Sequence, residues 1–147
     1  MSDLVKIFLT SGLTIIGGVV VFVLGQLLNE LLIKPFFKYR DILGKIDRDL
    51  TFYSHIYSNA GVHHRDHPIV NEAHEKLRKL SCDLRIVYKS VSWIEYFKIK
   101  GWIMSEEQKE KIAVNLIGLS NSLLDHSYIE NNLRREREIR KTMGSEN

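Results

Sequence analysis

The sequence contains very little cysteine and proline, and a long run near its start contains no charge. Cys82 is the only cysteine among 147 residues. No intramolecular disulfide can therefore form, and nothing points to an oxidising compartment. Pro35 and Pro68 are the only prolines. No segment shows the sustained alternation of apolar and polar residues that is typical of a strand. The chain is therefore predicted to be all-α.

Short motifs of the common enzyme classes are also missing. There is no GxSxG, P-loop, dinucleotide fingerprint or kinase signature. There is no HExxH or CxxC, and Glu72-Ala73-His74 misses the Glu-x-x-His spacing of di-metal bundles. We therefore expect the protein not to be an enzyme and to use no metal or cofactor.

The uncharged run extends from Ile7 to Leu28. As a helix it would be roughly 33 Å long, enough to cross a hydrocarbon core of about 30 Å. A signal peptide has a shorter apolar stretch and a small-residue cleavage site, which Gln26-Leu27-Leu28-Asn29-Glu30 does not offer. We therefore predict a retained transmembrane helix within residues 1–34 and a soluble helical unit within residues 35–147.

Basic residues flank this span unequally. Only Lys6 precedes it, whereas five basic residues follow closely: Lys34, Lys38, Arg40, Lys45 and Arg48. Because basic flanks stay on the cytoplasmic side, we expect the N-terminus outside and the helical unit in the cytoplasm. The net charge of +3 permits attraction to anionic lipid or nucleic acid without requiring either.

One face of the predicted span carries mostly small or hydroxylated residues. Helical spacing aligns Ser11, Thr14, Gly18, Val21, Gly25 and Leu28. Small residues let helices approach closely in lipid, so this stripe predicts self-association, and Gln26, Asn29 and Glu30 would form a polar ring at the inner mouth of a pore. The alternative is that glycine is simply frequent in spans and that the polar end reaches into the headgroups.

Beyond the span, apolar residues recur at the 3-4 spacing of helices that pack together. The first series predicts a helix over residues 36–58, with a kink or break at Pro35. The second predicts a helix over residues 69–92, and a last helix begins at the capping box Ser105-Glu106-Glu107-Gln108. The three series are Phe36, Tyr39, Leu43, Ile46, Leu50, Tyr53 and Tyr57; Ala73, Leu77, Leu80, Leu84, Val87, Val91 and Ile94; and Ile112, Leu116, Leu119, Leu123 and His126. A bundle of about three long helices is predicted.

Residues 93–102 mix aromatic residues with lysines. Helix lengths bring this segment back toward the bilayer, where such a mixture is favoured at the headgroups. The same aromatic residues could instead complete the core of the bundle.

The loop after the first soluble helix and the C-terminal tail form the second candidate site. His63, His64 and Arg65 lie in the loop, and Arg134, Arg135 and Arg137 lie in the tail. Together they could bind phosphates and stack bases. The alternatives are a solvated loop and a solvated helix end with Glu-Arg pairs such as Glu130 with Arg134.

The stretch GLTIIGGVVVFVLGQ at residues 12–26, with Lys34-Pro35 and Leu50-Thr51-Phe52-Tyr53, resembles small bacterial proteins with one N-terminal span and a helical cytosolic head. In its plan the chain is similar to membrane effectors of anti-phage defence operons, in particular the Hailong-type effector. The resemblance implies an inner-membrane channel held shut by an oligodeoxyadenylate, which a nucleotidyltransferase partner encoded in the same operon makes.

The sequence therefore supports two candidate functions. The first is an oligomeric inner-membrane effector or channel gated by a nucleotide or single-stranded oligonucleotide. The second is a non-conducting membrane anchor or adaptor that docks a cytosolic protein partner.

Overall fold

A computed structural model of the protein describes residues 3–61, 67–91, 101–123 and 125–144, except the side chains of residues 4 and 126. Within these ranges all regular structure is helical, which confirms the all-α prediction. The α-helices are α1 (Asp3–Leu28), α2 (Lys34–Phe52), α3 (Ser54–Tyr57), α4 (Pro68–Val91), α5 (Glu106–Asn121) and α6 (Ile129–Met143). A π-helical turn (Asn29–Ile33) precedes α2, and a 3₁₀ turn (His126–Tyr128) precedes α6.

The chain divides into two compact units, Met1–Phe36 and Phe37–Asn147. The first consists of α1, the π-helical turn and the start of α2. The second contains the rest of α2 and the remaining helices. The sequence predicted the boundary after residue 34, which is two residues before the boundary in the structure.

Pro35 does not break the helix. It is the second residue of α2, where its ring crowds the carbonyl one turn earlier and its nitrogen cannot donate a hydrogen bond. The disturbance lies in the preceding turn, where the backbone N–H of Lys34 donates to the carbonyl of Asn29, five residues back. This wider π-helical turn lets helical structure continue through the proline.

The second unit has one hydrophobic core, to which α2, α4, α5 and α6 contribute buried residues. Most residues of the predicted apolar series lie in it: Ile46 and Leu50 from α2, Tyr53 directly after α2, and Leu77 and Leu84 from α4 are at most 2% exposed. Ile42 was missing from the predicted series and is also buried, because the stripe of α2 that faces the core is wider than one residue per turn.

Hydrogen bonds show that α4 runs back along α2. Near the far end of α2, the Tyr53 hydroxyl donates to Glu72 at 2.8 Å. At its beginning, the Tyr39 hydroxyl accepts from the backbone N–H of Met104 at 3.1 Å, and the Tyr88 hydroxyl donates to the Met104 carbonyl at 3.2 Å. The chain after α4 therefore returns to the end of α2 that contains Tyr39. Of the aromatic segment 93–102, only Gly101 and Trp102 are among the described residues.

The predicted capping box is confirmed. The Ser105 side chain accepts from the backbone N–H of Gln108 at 3.2 Å, and the Gln108 side chain accepts from that of Ser105 at 2.8 Å. Two amides at the start of α5 are thereby satisfied, which fixes where the helix begins.

The prediction of one continuous last helix is wrong, because two helices lie in this part of the chain. Helix α5 ends at Asn121, and α6 begins only at Ile129. In the turn between them, the Asp125 carboxylate accepts from the backbone N–H of Ser127 at 2.9 Å, a local bond that competes with helix continuation. The apolar spacing continued to Leu123, which is buried although it lies outside the helix, and so it concealed the turn.

Candidate functional site

The surface of α1 is apolar and exposed. No residue of its most hydrophobic window is buried, and the helix is long and apolar enough to span a membrane. Phe8 is 82% exposed, and eleven further large apolar side chains from Ile7 to Leu24 are each at least 47% exposed. Contiguous apolar surface of this kind needs lipid or another protein to cover it.

The glycines of the predicted stripe have open space around them. A methyl group added at Gly18 or Gly25 would meet nothing within 4 Å. Ser11, Thr14 and Val21 are likewise exposed. Nothing in the described part of the chain therefore requires small residues at these positions.

Hydroxyl groups in the span are used within the helix. Thr10 donates to the carbonyl of Lys6 at 2.8 Å, and Thr14 donates to that of Thr10 at 2.9 Å. Since each hydroxyl has one proton, Thr14 has no donor left for a group outside this helix. Thr14 therefore contributes to the stripe as a small side chain and not as a hydrogen-bond donor.

The polar end of α1 carries a paired charge. Gln26 lies in the last turn of α1, and Asn29 and Glu30 open the π-helical turn. Glu30 forms an ion pair with Lys34 one turn later, and both side chains are more than half exposed. The charge of Glu30 is therefore compensated at this end of the helix.

The three arginines of the tail have different surroundings. Arg135 lies across α5, where its guanidinium donates to the Gly118 carbonyl at 3.0 Å and to the Ser122 hydroxyl at 3.3 Å. A side chain at position 118 would lie 2.7 Å from the Arg135 Nε, so Gly118 makes room for this contact. Arg135 thus joins α5 to α6.

Arg134 and Arg137 are exposed on α6. Arg134 donates to the side chain of Asn131 at 3.2 Å, and Arg137 donates to the Leu133 carbonyl at 3.3 Å. With Glu138 and Lys141 they line a shallow depression of about 280 Å³. Lys141 belongs to this group by its helical spacing and was not singled out in the sequence. His63, His64 and Arg65 lie outside the described residues.

A buried polar cluster lies where α3, α5 and α6 meet. Asn132 is fully buried; it donates to the Tyr57 carbonyl at 3.2 Å and accepts from the Ser122 hydroxyl. Sequence periodicity did not reveal it, because a polar residue on a polar helix gives no signal of burial.

Replacing Asn132 by leucine should lower the free energy of unfolding by about 2 kcal/mol, because the Tyr57 carbonyl would lose a partner without access to water. Thermal unfolding of the full chain in a neutral detergent, followed by circular dichroism, measures this. Asn131→Leu is the matched control, with an expected change of at most about 0.5 kcal/mol. Equal losses in both variants would contradict a structural role for Asn132.

Charged groups tie α6 to α2. Arg140 donates to Asp47 at 2.5 Å and to Thr51 at 3.0 Å, and it also pairs with Glu136. Nearby, the Tyr57 hydroxyl donates to the Leu50 carbonyl at 2.9 Å. Burial raises the pKa of Tyr57, and the negative charge of Glu136 adds to the rise.

The described residues offer no cluster of three or more His, Cys, Asp or Glu side chains that could hold a metal ion. The site residues provide two features. One is an exposed apolar helix with a polar end, and the other is a separate surface of basic side chains. No family model, curated protein or solved structure matches the chain.

Proposed function

We propose that the protein is an oligomeric single-span effector of the bacterial inner membrane, in which α1 crosses the bilayer. The observation that supports this most is the exposed apolar surface of α1, together with glycines that no contact among the described residues requires. Copies that pack through this stripe would bury the glycine face against each other and leave the larger side chains to lipid.

In this proposal the N-terminus lies outside and the second unit lies in the cytoplasm. The support is the unequal distribution of basic residues on either side of α1. The second unit would detect a nucleotide or oligonucleotide, and it would carry out no catalysis. A nucleotidyltransferase that makes the signal is the proposed partner.

The assembled spans would conduct ions through a pore whose inner mouth carries Gln26, Asn29 and Glu30. Rings of acidic side chains favour cations, but here Lys34 compensates Glu30 in each copy. The selectivity of such a pore should therefore depend on both members of the pair.

Glu30→Lys should reduce or reverse cation preference, because each copy then contributes two positive charges. Lys34→Gln should increase cation preference, because it leaves Glu30 uncompensated. Ion flux in liposomes, with and without a single-stranded oligodeoxyadenylate, measures both effects. Changes of the same sign in the two variants would contradict a pore lined by this pair.

The Glu30–Lys34 pair also favours a second candidate function. A neutral polar end is compatible with spans that pack without conducting, as in a membrane anchor whose cytosolic unit docks a soluble protein. A complete lack of flux from the wild-type chain under every condition would favour this adaptor over the channel.

A further inference from the structure

A groove between α2 and α4 carries a cluster of cations that the site residues above do not include. Lys45 and Arg48 contribute from α2, and Lys76 and Lys79 contribute from α4, around a cavity of about 170 Å³. Asp49 and Asp83 also line it. Residues i and i+3 lie side by side on a helix, so each helix presents its two cations to the same groove.

The two α2 cations have partners, whereas the two α4 cations have no ion-pair partner among residues 3–61, 67–91, 101–123 and 125–144. Lys45 pairs with Asp41 at 2.7 Å, and the Nε of Arg48 donates to Asp49 at 2.8 Å. Lys76 and Lys79 are exposed and form no ion pair with any residue in the described part of the chain. Their ammonium groups are therefore the available binding charge of the groove.

An exposed aromatic ring lies one helical turn beyond Arg48. Phe52 follows Arg48 by one helical turn on the same face of α2, roughly 6 Å along the axis, and it is 60% exposed. Its ring packs edge-to-face on Tyr53 at a centroid distance of 4.9 Å. Because Tyr53 is in turn bonded to Glu72 of α4, the exposed ring has a fixed support beside the groove.

We propose that this groove binds a single-stranded oligonucleotide, with phosphates at Lys76 and Lys79 and a base stacked on Phe52. Cations alternating with an exposed ring suit a strand in which phosphates and bases alternate. A lipid headgroup shares the phosphate but offers no base to stack. This inference rests on the proposed function, which supplies the idea that the signal is an oligonucleotide. It adds a binding site separate from the arginines of α6.

The test uses the full chain in a neutral detergent and a fluorescently labelled single-stranded oligodeoxyadenylate. Lys76→Glu and Lys79→Glu should each weaken binding about tenfold and lower the salt dependence by about one unit for each lost contact. The matched control is Arg78→Glu, which makes the same charge change on the same helix outside the groove lining. It should change binding less than about twofold.

Stacking has its own pair of variants. Phe52→Ala should weaken binding about tenfold, whereas Phe52→Tyr should retain it, because every aromatic ring offers a face to a base. Ile86→Ala removes another exposed apolar side chain and should leave binding unchanged. Circular dichroism of each variant verifies that the helices are intact.

The outcomes separate this site from the proposed function. Equal weakening by Lys79→Glu and Arg78→Glu, or loss of binding only in an Arg134→Ala/Arg137→Ala variant, would overturn the groove while oligonucleotide sensing stands. No binding by the wild-type chain even at low salt would overturn both. If Phe52→Ala has no effect and the two lysines instead govern binding to phosphatidylglycerol vesicles, the ligand is lipid and the proposal is overturned.

Discussion

Replacing Gly18 or Gly25 by leucine is expected to weaken association of the spans at least about tenfold, or about 1.4 kcal/mol. In lipid, helices associate through close backbone contact at small residues, and a leucine at either position would hold two spans apart. Chemical cross-linking and sedimentation of the full chain in a neutral detergent measure the assembly.

Gly12→Leu is the matched control. It makes the same substitution in the same helix but lies on nearly the opposite face from the stripe, by the 100° that each helical residue turns. Assembly should be unchanged in this variant. An unchanged oligomer in Gly18→Leu and Gly25→Leu as well would shift assembly to the second unit.

The glycine positions allow a sharper form of the same experiment. Glycine in a helix costs about 1 kcal/mol relative to alanine, and a methyl group at Gly18 or Gly25 would meet no described residue within 4 Å. Alanine there should leave α1 itself at least as stable as before. A fall in assembly on Gly18→Ala would therefore come from contact between spans alone.

Periodicity predicted the long helices of the second unit well, because their stability comes from a continuous apolar stripe. Helix α4 was predicted over residues 69–92 and is described over Pro68–Val91. The first soluble helix was predicted over 36–58 and consists of α2 and the short α3, interrupted at Tyr53. Tyr53 remains buried through the interruption, so the apolar spacing carried no sign of it.

The candidate site was less predictable, since it depends on which charged side chains meet. Spacing identified Arg134, Arg135 and Arg137 as one group, but the distances assign Arg135 to the α5–α6 contact and leave the other two exposed. The α2–α4 groove joins residues some 30 positions apart in the chain. A single sequence gives no means of pairing Arg48 with Lys76.

Alkaline pH is expected to unfold the second unit through its tyrosines. Burial raises the pKa of Tyr53 to about 12, and the hydrogen bond to Glu72 adds to the shift. Burial likewise raises the pKa of Tyr57, Tyr39 and Tyr88. An unfolded tyrosine has a pKa of about 10, so above this pH the unfolded chain releases protons that the folded chain retains.

The stabilisation from each of these tyrosines should be complete below about pH 10 and decrease as the pH rises toward the folded pKa. The free energy of unfolding should fall by about 1.4 kcal/mol per pH unit for each such group. Tyrosinate absorbance and circular dichroism, recorded together during an alkaline titration of the full chain in a neutral detergent, should change in the same transition.

Tyr53→Phe cannot ionise at this position, so its stability should fall less steeply by about 1.4 kcal/mol per pH unit. If all six tyrosines instead ionise near pH 10 while the helices remain intact, the fold does not protect the hydroxyls of Tyr53 and Tyr57. The hydrogen bonds from Tyr53 to Glu72 and from Tyr57 to the Leu50 carbonyl then do not hold these side chains in place.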